Sequence, residues 1–296
     1  MSTELPRAPG PTAEEGEPRT AREMLARASA FLARKGVEAP QREAEHLVAH
    51  ALGLDRLRLF LSLDRPLERG EVARGRELVV RRGRREPTAY LLGKREFYGR
   101  EFEVGRGVLV PRPETELLVD RARALLAGGT APRIADVGTG SGCLAVTLAL
   151  ELPGSRVAAV ELAPPALEYA RRNAQRHGAV IEFHLGDGLA PLEGSFDLIV
   201  SNPPYVDPAE RDGLAPEVRE HEPPEALFAP PGDPDHWVRR LVREGCQRLA
   251  PGGWLLIEIG AGQGARLERW MPHAPPWRVH RDLERVERVL EVGPYS

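Results

Sequence analysis

The chain has only two cysteines in 296 residues, Cys143 and Cys246, far apart and without a C-x-x-C pair. A disulfide framework and a cysteine-based zinc site are therefore not expected, and a reducing cytoplasm is. Histidine is sparse as well, eight residues scattered along the chain, and no metal role is expected. No run approaches the ~18 apolar residues that a membrane-spanning helix needs. The opening stretch, MSTELPRAPGPTAEEGEPRT, lacks an apolar h-region, so it does not read as a secretory signal. Its Pro, Glu and Gly content predicts a disordered leader over residues 1–19, which buries too little to offset its ordering entropy. Neither sign of charge dominates: the formal net charge is −3, and nearly all the basic residues are arginine. A near-neutral chain can still carry a local basic patch, so this argues only weakly against a nucleic-acid substrate.

What is present divides into three parts. Residues 20–86 have helical periodicity. Met24, Leu25, Ala28, Phe31 and Leu32 recur at three and four over Thr20–Lys35, with Gly36 as a stop. Pro40 opens a second helix with Ala44, Leu47, Val48 and Leu52 on one face, and Gly53 closes it. Shorter patterns predict a third helix over Arg56–Ser62 and a fourth over Glu68–Arg85. Together they predict a small helical bundle. The fourth helix is expected to expose Arg74, Arg76, Arg81, Arg82, Arg84 and Arg85, either as a solvated face or as a docking surface for an acidic partner or RNA.

Residues 87–113 alternate apolar and polar side chains, with glycines at 99, 105 and 107, which predicts a β-hairpin linker. From 114 to 296 strands and helices alternate. Strands are expected at Arg133–Val137, Arg156–Val160, Val180–Leu185, Phe196–Val200 and Gly253–Ile259, with two more at Trp277–His280 and Arg285–Val292. Helices are expected at Ser141–Glu151, Pro164–His177 and His236–Leu249. This alternation predicts an α/β fold with a doubly wound, mostly parallel sheet. Ligands in such sheets bind outside the carboxyl ends of the strands.

The first of these strands ends in Asp136-Val137-Gly138-Thr139-Gly140-Ser141-Gly142, directly before a helix. Glycines there let backbone approach a ligand closely. A dinucleotide fingerprint would place a glycine at the sixth position, where this chain has Cys143. The spacing suits a cofactor with no pyrophosphate, although a dinucleotide is not excluded by the loop alone. Glu161 ends the second strand, where a carboxylate can accept both hydroxyls of a ribose. Asp187, in Gly186-Asp187-Gly188, ends the third, where adenine N–H groups would lie. Taken singly, each acid reads equally as a helix cap or a solvated turn. Asp136 has a structural alternative too, holding loop amides, beside a role toward a bound ammonium.

After the fourth strand comes Ser201-Asn202-Pro203-Pro204-Tyr205. Pro-Pro recurs at 164, 223, 230 and 275, so the dipeptide itself means little. Its place at this strand end is what points to function. Residues before proline are pushed into extended conformations, so Asn202 and Pro203 form a stiff segment. The Asn202 side-chain oxygen and the Pro203 carbonyl can then both accept from one –NH2 group and orient it completely. Positioning of that kind supplies much of a group transfer, and fixed acceptor dipoles stabilise positive charge growing on a nitrogen. Tyr205 either packs its ring over a planar acceptor or anchors the loop.

With these residues in place, the chain resembles the HemK-type (PrmC) release factor glutamine N5-methyltransferases over roughly residues 20–292. The resemblance rests on GREFYGREFEV…VLVPRPETELLVD at 93–120, DVGTGSGCLAV, NPPY, EVREHEPPEALF at 217–228 and LAPGGWLLIEIG at 249–260. It implies a class I, Rossmann-like methyltransferase with a seven-stranded sheet, using S-adenosyl-L-methionine. It implies methyl transfer to the glutamine amide nitrogen of the Gly-Gly-Gln motif in peptide-chain release factors. Gly138, Thr139, Gly140, Ser141, Gly142, Glu161, Asp187, Gly188 and Asn202 would contact the cofactor, with Asn202, Pro203, Pro204 and Tyr205 at the acceptor. The helical domain would help grip the release factor. A cytoplasmic monomer working near the ribosome, with no membrane and no direct nucleic-acid substrate, is the expected setting.

Other readings remain at this point: a sister group that methylates a ribosomal protein glutamine, amino-group methylation of adenine or guanine, and a cofactor-binding protein that only docks to ribosomal partners. The run Arg112-Pro113-Glu114-Thr115-Glu116 favours release factors over the ribosomal-protein group, which typically lacks it. Two departures from the resembled pattern stand out. Pro230-Pro231-Gly232-Asp233-Pro234-Asp235 replaces a Gly-Gly-x-Asp-Gly-like stretch, and Arg285 replaces a glycine, which suggests a rebuilt turn.

Overall fold

The computed structural model describes residues 16–129, 131–271 and 275–295; most of the expected leader lies outside them. The chain divides into two compact units, with the division between Leu91 and Leu92.

The first unit is helical: α1 (Ala21–Arg34), α2 (Pro40–Ala51), α3 (Arg56–Leu61) and α4 (Arg69–Gly83), followed by the short α5 (Thr88–Leu92) at the division. Thr20 caps α1 by accepting from the Glu23 amide, and Glu68 and Glu71 form a reciprocal capping box on α4. Met24, Ala28 and Leu32 pack with Leu47, Val48, Leu59, Val72 and Val79 as a core of apolar faces.

The arginine-rich face of α4 differs from expectation. Arg74, Arg76 and Arg84 are exposed, but Arg82 is buried and paired to Glu43 at 2.7 Å. Arg81 binds Glu86 with two hydrogen bonds at 2.8 Å, and Arg85 donates to the Gly36 carbonyl. Arg74, though exposed, donates to the Ala51 carbonyl at 3.1 Å, so four of the six expected surface arginines are committed to holding the unit together, because long side chains of α4 and its end reach fixed acceptors. The scattered histidines are expected to form no H-x-x-x-H pair on a helix, but His46 and His50 form one on α2, legible in the sequence as His46-Leu47-Val48-Ala49-His50. Among the described residues, no group of three or more possible metal ligands gathers.

The second unit begins with a hairpin, β1 (Lys94–Phe97) and β2 (Arg100–Glu103), turning at Tyr98-Gly99. The hairpin covers a smaller part of 87–113 than the alternation suggests. Then follow α6 (Glu116–Leu125), β3 (Arg133–Val137), α7 (Cys143–Glu151), β4 (Arg156–Glu161), α8 (Pro164–His177), β5 (Ile181–Leu185) and β6 (Phe196–Ser201). After β6 come α9 (Pro216–His221), α10 (Pro224–Leu227), α11 (His236–Cys246), β7 (Leu249–Glu258), α12 (Gly264–Leu267), β8 (Trp277–Arg281) and β9 (Glu287–Val292).

The seven-stranded sheet has the order β5-β4-β3-β6-β7-β9-β8, and β9 alone runs opposite to the other six strands. This is the class I methyltransferase fold. Alternate residues of the strands serve opposite faces: Ala135, Val137, Ile199, Leu255 and Ile257 pack with α11, while Ile134, Leu198, Val200 and Leu256 pack with α6 and α7. Both faces are covered, which explains the continuous apolar runs. The order reverses between β3 and β6, whose ends pair at Val137 and Ser201. The Ser201 hydroxyl donates to the Val137 carbonyl at 2.7 Å and ties the two strand ends together. The glycine loop and the Asn202 segment therefore leave the sheet side by side at its switch point, where ligands bind.

Candidate active site

A cavity of about 580 Å³ opens at that switch point. Gly138, Thr139, Gly140 and Ser141 line it from the end of β3, and Glu161 from the end of β4. Asp187 and Gly188 follow β5, and Asn202, Pro203 and Pro204 follow β6. Gly142 is the exception among the expected cofactor residues: it does not line the cavity. It stands before α7 at φ +79, and a Cβ there would come within 3.0 Å of the Ala170 Cα. Its glycine is required by the close approach of α8 and by the left-handed turn.

Asp136 is fully buried; its Oδ2 accepts from the Thr139 hydroxyl at 2.6 Å and from the Ala145 amide at 3.1 Å. It holds the two ends of the glycine loop, as its structural alternative has it. Its Oδ1 has no partner, and burial pushes its carboxyl up to about 7. Glu161 has both oxygens on backbone amides, Oε2 from Gly140 at 2.8 Å and Oε1 from Ala163 at 2.9 Å. Each oxygen keeps a lone pair for a ligand, so Glu161 both clamps the loop and faces the cavity.

Asp187 differs from the free acid that a strand end suggests. Arg240 on α11 donates to both of its oxygens, at 2.8 and 3.0 Å, and also binds Glu244 at 2.7 Å. Glycines flanking Asp187 make the turn tight, but the ion pair comes from a helix more than fifty residues on and has no local signal. Cys143 also lines the cavity, where burial pushes its thiol up to about 12, far from a reactive thiolate.

The Asn202 segment separates this cavity from a smaller cleft of about 40 Å³. Asn202, Pro203 and Pro204 border both, while Tyr205 borders the cleft alone. Val206 pairs with the chain at Leu227–Ala229, so the segment 217–228 folds back and braces the acceptor loop. From the same segment, buried Glu222 accepts from Arg112 at 2.7 Å and from the Val110 amide at 3.2 Å. Arg112 borders both cavities with its charge already paired.

Asn202 Nδ2 donates to the Thr115 hydroxyl at 3.1 Å. Thr115 in turn donates to Glu258 at 2.6 Å, and Tyr205 donates to the other oxygen of Glu258 at 3.3 Å. Burial raises the Tyr205 phenol and pushes the Glu258 carboxyl up to about 7, against the two hydrogen bonds that lower the latter. The sequence assigns no site role to Thr115, Glu258, Arg112, Glu222 or Arg240, although Arg112 and Thr115 belong to the 112–116 run and Glu222 to the 217–228 segment that carry the resemblance. A further signal is legible: Glu258 is an acid within the apolar run 255–259.

The charges around the main cavity decide what it can hold. Its ionisable lining is Arg112, Glu161, Asp187, Glu225, Arg240 and Glu244, and both arginines are already paired to carboxylates. A pyrophosphate would meet uncompensated acids. A cofactor bearing an ammonium and a sulfonium, with ribose hydroxyls to donate, fits the donor set.

Two family models match the chain: a PrmC N-terminal domain over residues 23–93 and a methyltransferase small domain over residues 113–218. A release factor glutamine methyltransferase of Geobacter sulfurreducens is 45% identical over 84% of this chain and 87% of its own length. One from Nitratidesulfovibrio vulgaris is 42% identical over 86% of this chain and 88% of its own. Among solved structures, the hMettl16 catalytic domain in complex with MAT2A 3'UTR hairpin 6 superposes with a TM-score of 0.51 at 18% identity. That match covers 79% of this chain and 86% of the other, and it speaks for the fold alone. The chain belongs to the release factor glutamine methyltransferase family.

Proposed function

We propose that this chain transfers the methyl group of S-adenosyl-L-methionine to the side-chain amide nitrogen, N5, of the glutamine in the Gly-Gly-Gln motif of peptide-chain release factors. The observation that carries the reading is the place of Asn202-Pro203-Pro204-Tyr205: a stiff wall between an acid-lined cavity and a small cleft. When bound, the cofactor supplies a methyl group on an electrophilic sulfonium.

The chain's own residues do the rest. Gly138, Thr139, Gly140 and Ser141 give the cofactor a close backbone surface, and Glu161 accepts its ribose hydroxyls. Asp187 and Gly188 border the adenine end, with Asp187 sharing its lone pairs between Arg240 and ligand. Asn202 Oδ1 and the Pro203 carbonyl accept the two protons of the glutamine –NH2. With both protons held, the amide plane is fixed and the nitrogen lone pair lies along the axis perpendicular to it, so orientation is set before reaction. The same two dipoles stabilise positive charge as it grows on nitrogen, and the methylated amide returns to neutral by losing one of its two protons once the N–C bond is made. Pro204 and Tyr205 shape the cleft around the planar amide. The helical unit contributes grip on the release factor, in the cytoplasm, with the enzyme acting as a monomer. Among the described residues, no helix is long and apolar enough to cross a membrane.

The test is methyl transfer from labelled S-adenosyl-L-methionine to purified release factor, beside a Gly-Gly-Gln→Gly-Gly-Ala control. Label on the unaltered factor alone is the expected result. Label on both would place the modification elsewhere, and label on neither would move the substrate to a ribosomal protein or nucleic acid.

A further inference from the structure

Glu258 is the one fully buried acid at the acceptor end that binding and transfer leave without a task. It ends β7, and the alternation of that strand sends it to the face covered by α6. A carboxyl at 1% exposure is costly unless its oxygens are satisfied. Both are: Oε2 accepts from Thr115 at 2.6 Å and Oε1 from Tyr205 at 3.3 Å.

These bonds have a directional consequence. A hydroxyl has one proton, and with Glu258 ionised, above about pH 7, Thr115 commits it to the carboxylate, so toward any further partner it can only accept. That partner is Asn202, 3.1 Å away and half-buried. An asparagine amide is nearly symmetric in shape, and turning it over exchanges a donor for an acceptor at almost no steric cost. Facing a hydroxyl oxygen whose proton is spent, it must present Nδ2, because its oxygen would meet a lone pair. Among the described residues, Thr115 is the one hydrogen-bond partner of the Asn202 side chain. The end left over is Oδ1.

We propose that Thr115 and Glu258 form a positioning relay that fixes Asn202 with its carbonyl oxygen toward the acceptor, so that the site takes a nitrogen bearing protons. The proposal rests on the glutamine reading of the site. In the opposite orientation Asn202 would place its own N–H groups against those of the substrate amide. Tyr205 joins the relay through the second oxygen of Glu258, so the ring bordering the cleft and the amide bordering both cavities are held by one carboxyl. Neither Thr115 nor Glu258 needs to touch the substrate for this to work.

The relay is tested in the full-length enzyme with Thr115→Val, which keeps shape and loses the hydroxyl, and Thr115→Ser, which keeps the hydroxyl. With release factor as acceptor, Thr115→Val is expected to lower kcat about tenfold, the worth of one orienting hydrogen bond. Its affinity for S-adenosyl-L-methionine should stay unchanged. Thr115→Ser should remain within about threefold of the unaltered enzyme, since the hydrogen bond survives. A second reading needs neither cofactor nor substrate: the side-chain ¹⁵N–¹H resonances of Asn202 should move in Thr115→Val and stay in Thr115→Ser. Thr115→Ala gives the same readings should the valine variant not fold. Full turnover in Thr115→Val, or equal loss in the valine and serine variants, would overturn the relay. If the unaltered enzyme fails to label release factor, the glutamine reading falls, and the resonances still decide the relay.

Discussion

Replacing Glu258 by glutamine should make the protein more stable at pH 8 and less dependent on pH. Glu258 is buried, and its carboxyl is pushed from an ordinary 4.5 to about 7 by desolvation, with Glu114 nearby adding repulsion. A group with a raised native pKa is protonated in both folded and unfolded chains at low pH, where it adds no penalty. As pH rises past 4.5 the unfolded chain ionises freely, whereas the native chain holds its proton until about 7. Stability is therefore lost across that window, by roughly 3 kcal/mol in all for a shift of this size.

Glutamine has the same shape, still accepts from Thr115 and carries no charge at any pH. The stability difference between Glu258→Gln and the unaltered chain should thus grow by about 2–3 kcal/mol from pH 5 to pH 8. Asp136, whose carboxyl is also pushed to about 7, contributes equally to both proteins and cancels in the difference. The assay is urea unfolding at the two pH values without cofactor, followed by tryptophan fluorescence. All four tryptophans lie beyond residue 92, so the signal reports the sheet-containing unit alone. A difference that is the same at both pH values, or a glutamine variant that loses ground at pH 8, would refute the reasoning. It would mean that the two hydrogen bonds outweigh burial and hold the carboxylate ionised.

Asn202→Ala should cut turnover about a hundredfold with little change in cofactor affinity, because it removes an acceptor aimed at the substrate nitrogen. Equilibrium binding and saturated kcat separate the two, and collapsed binding with normal kcat would sink that role. Glu161→Ala should do the reverse and weaken cofactor binding at least about tenfold, through lost ribose contacts and a loosened Gly140 turn. Unchanged affinity by calorimetry would end the ribose assignment. Arg285→Gly should raise stability by about 0.5–1 kcal/mol, since exposed Arg285 sits at φ +64, where a side chain is strained. A lower melting temperature would show that the arginine has a compensating contact.

Arg285 also shows how local sequence and local structure can part. Its replacement of an expected glycine suggests a rebuilt turn, but the left-handed backbone is there, held by Asp282 Oδ1 on the Glu284 and Val286 amides. The turn is set by the aspartate, and the arginine adapts to it. The stretch 230–235 likewise ends in a firm anchor: buried Asp235 accepts from Gln263 at 2.8 Å and pairs with Arg266. Neither contact has a signature near residue 235.

By itself the sequence determined the elements and the order of the chemistry. Strand and helix periods, the glycine loop, the acid ending β4 and the stiff Asn202-Pro203-Pro204 segment are all properties of a few neighbouring residues, so they can be read without coordinates. The alternation of elements then implied a parallel sheet, and with it a ligand site at the strand ends. Tertiary structure decided which groups meet there. Thr115 and Glu258 are 143 residues apart, Asp187 and Arg240 53 apart, and Arg112 and Glu222 110 apart. Such pairs depend on strand register and on how helices cross the sheet, which arise from the packing of the whole core and not from any local run. The same packing took Arg82 from an expected surface into the helical core, and left the Asn202 amide one partner to decide which way it faces.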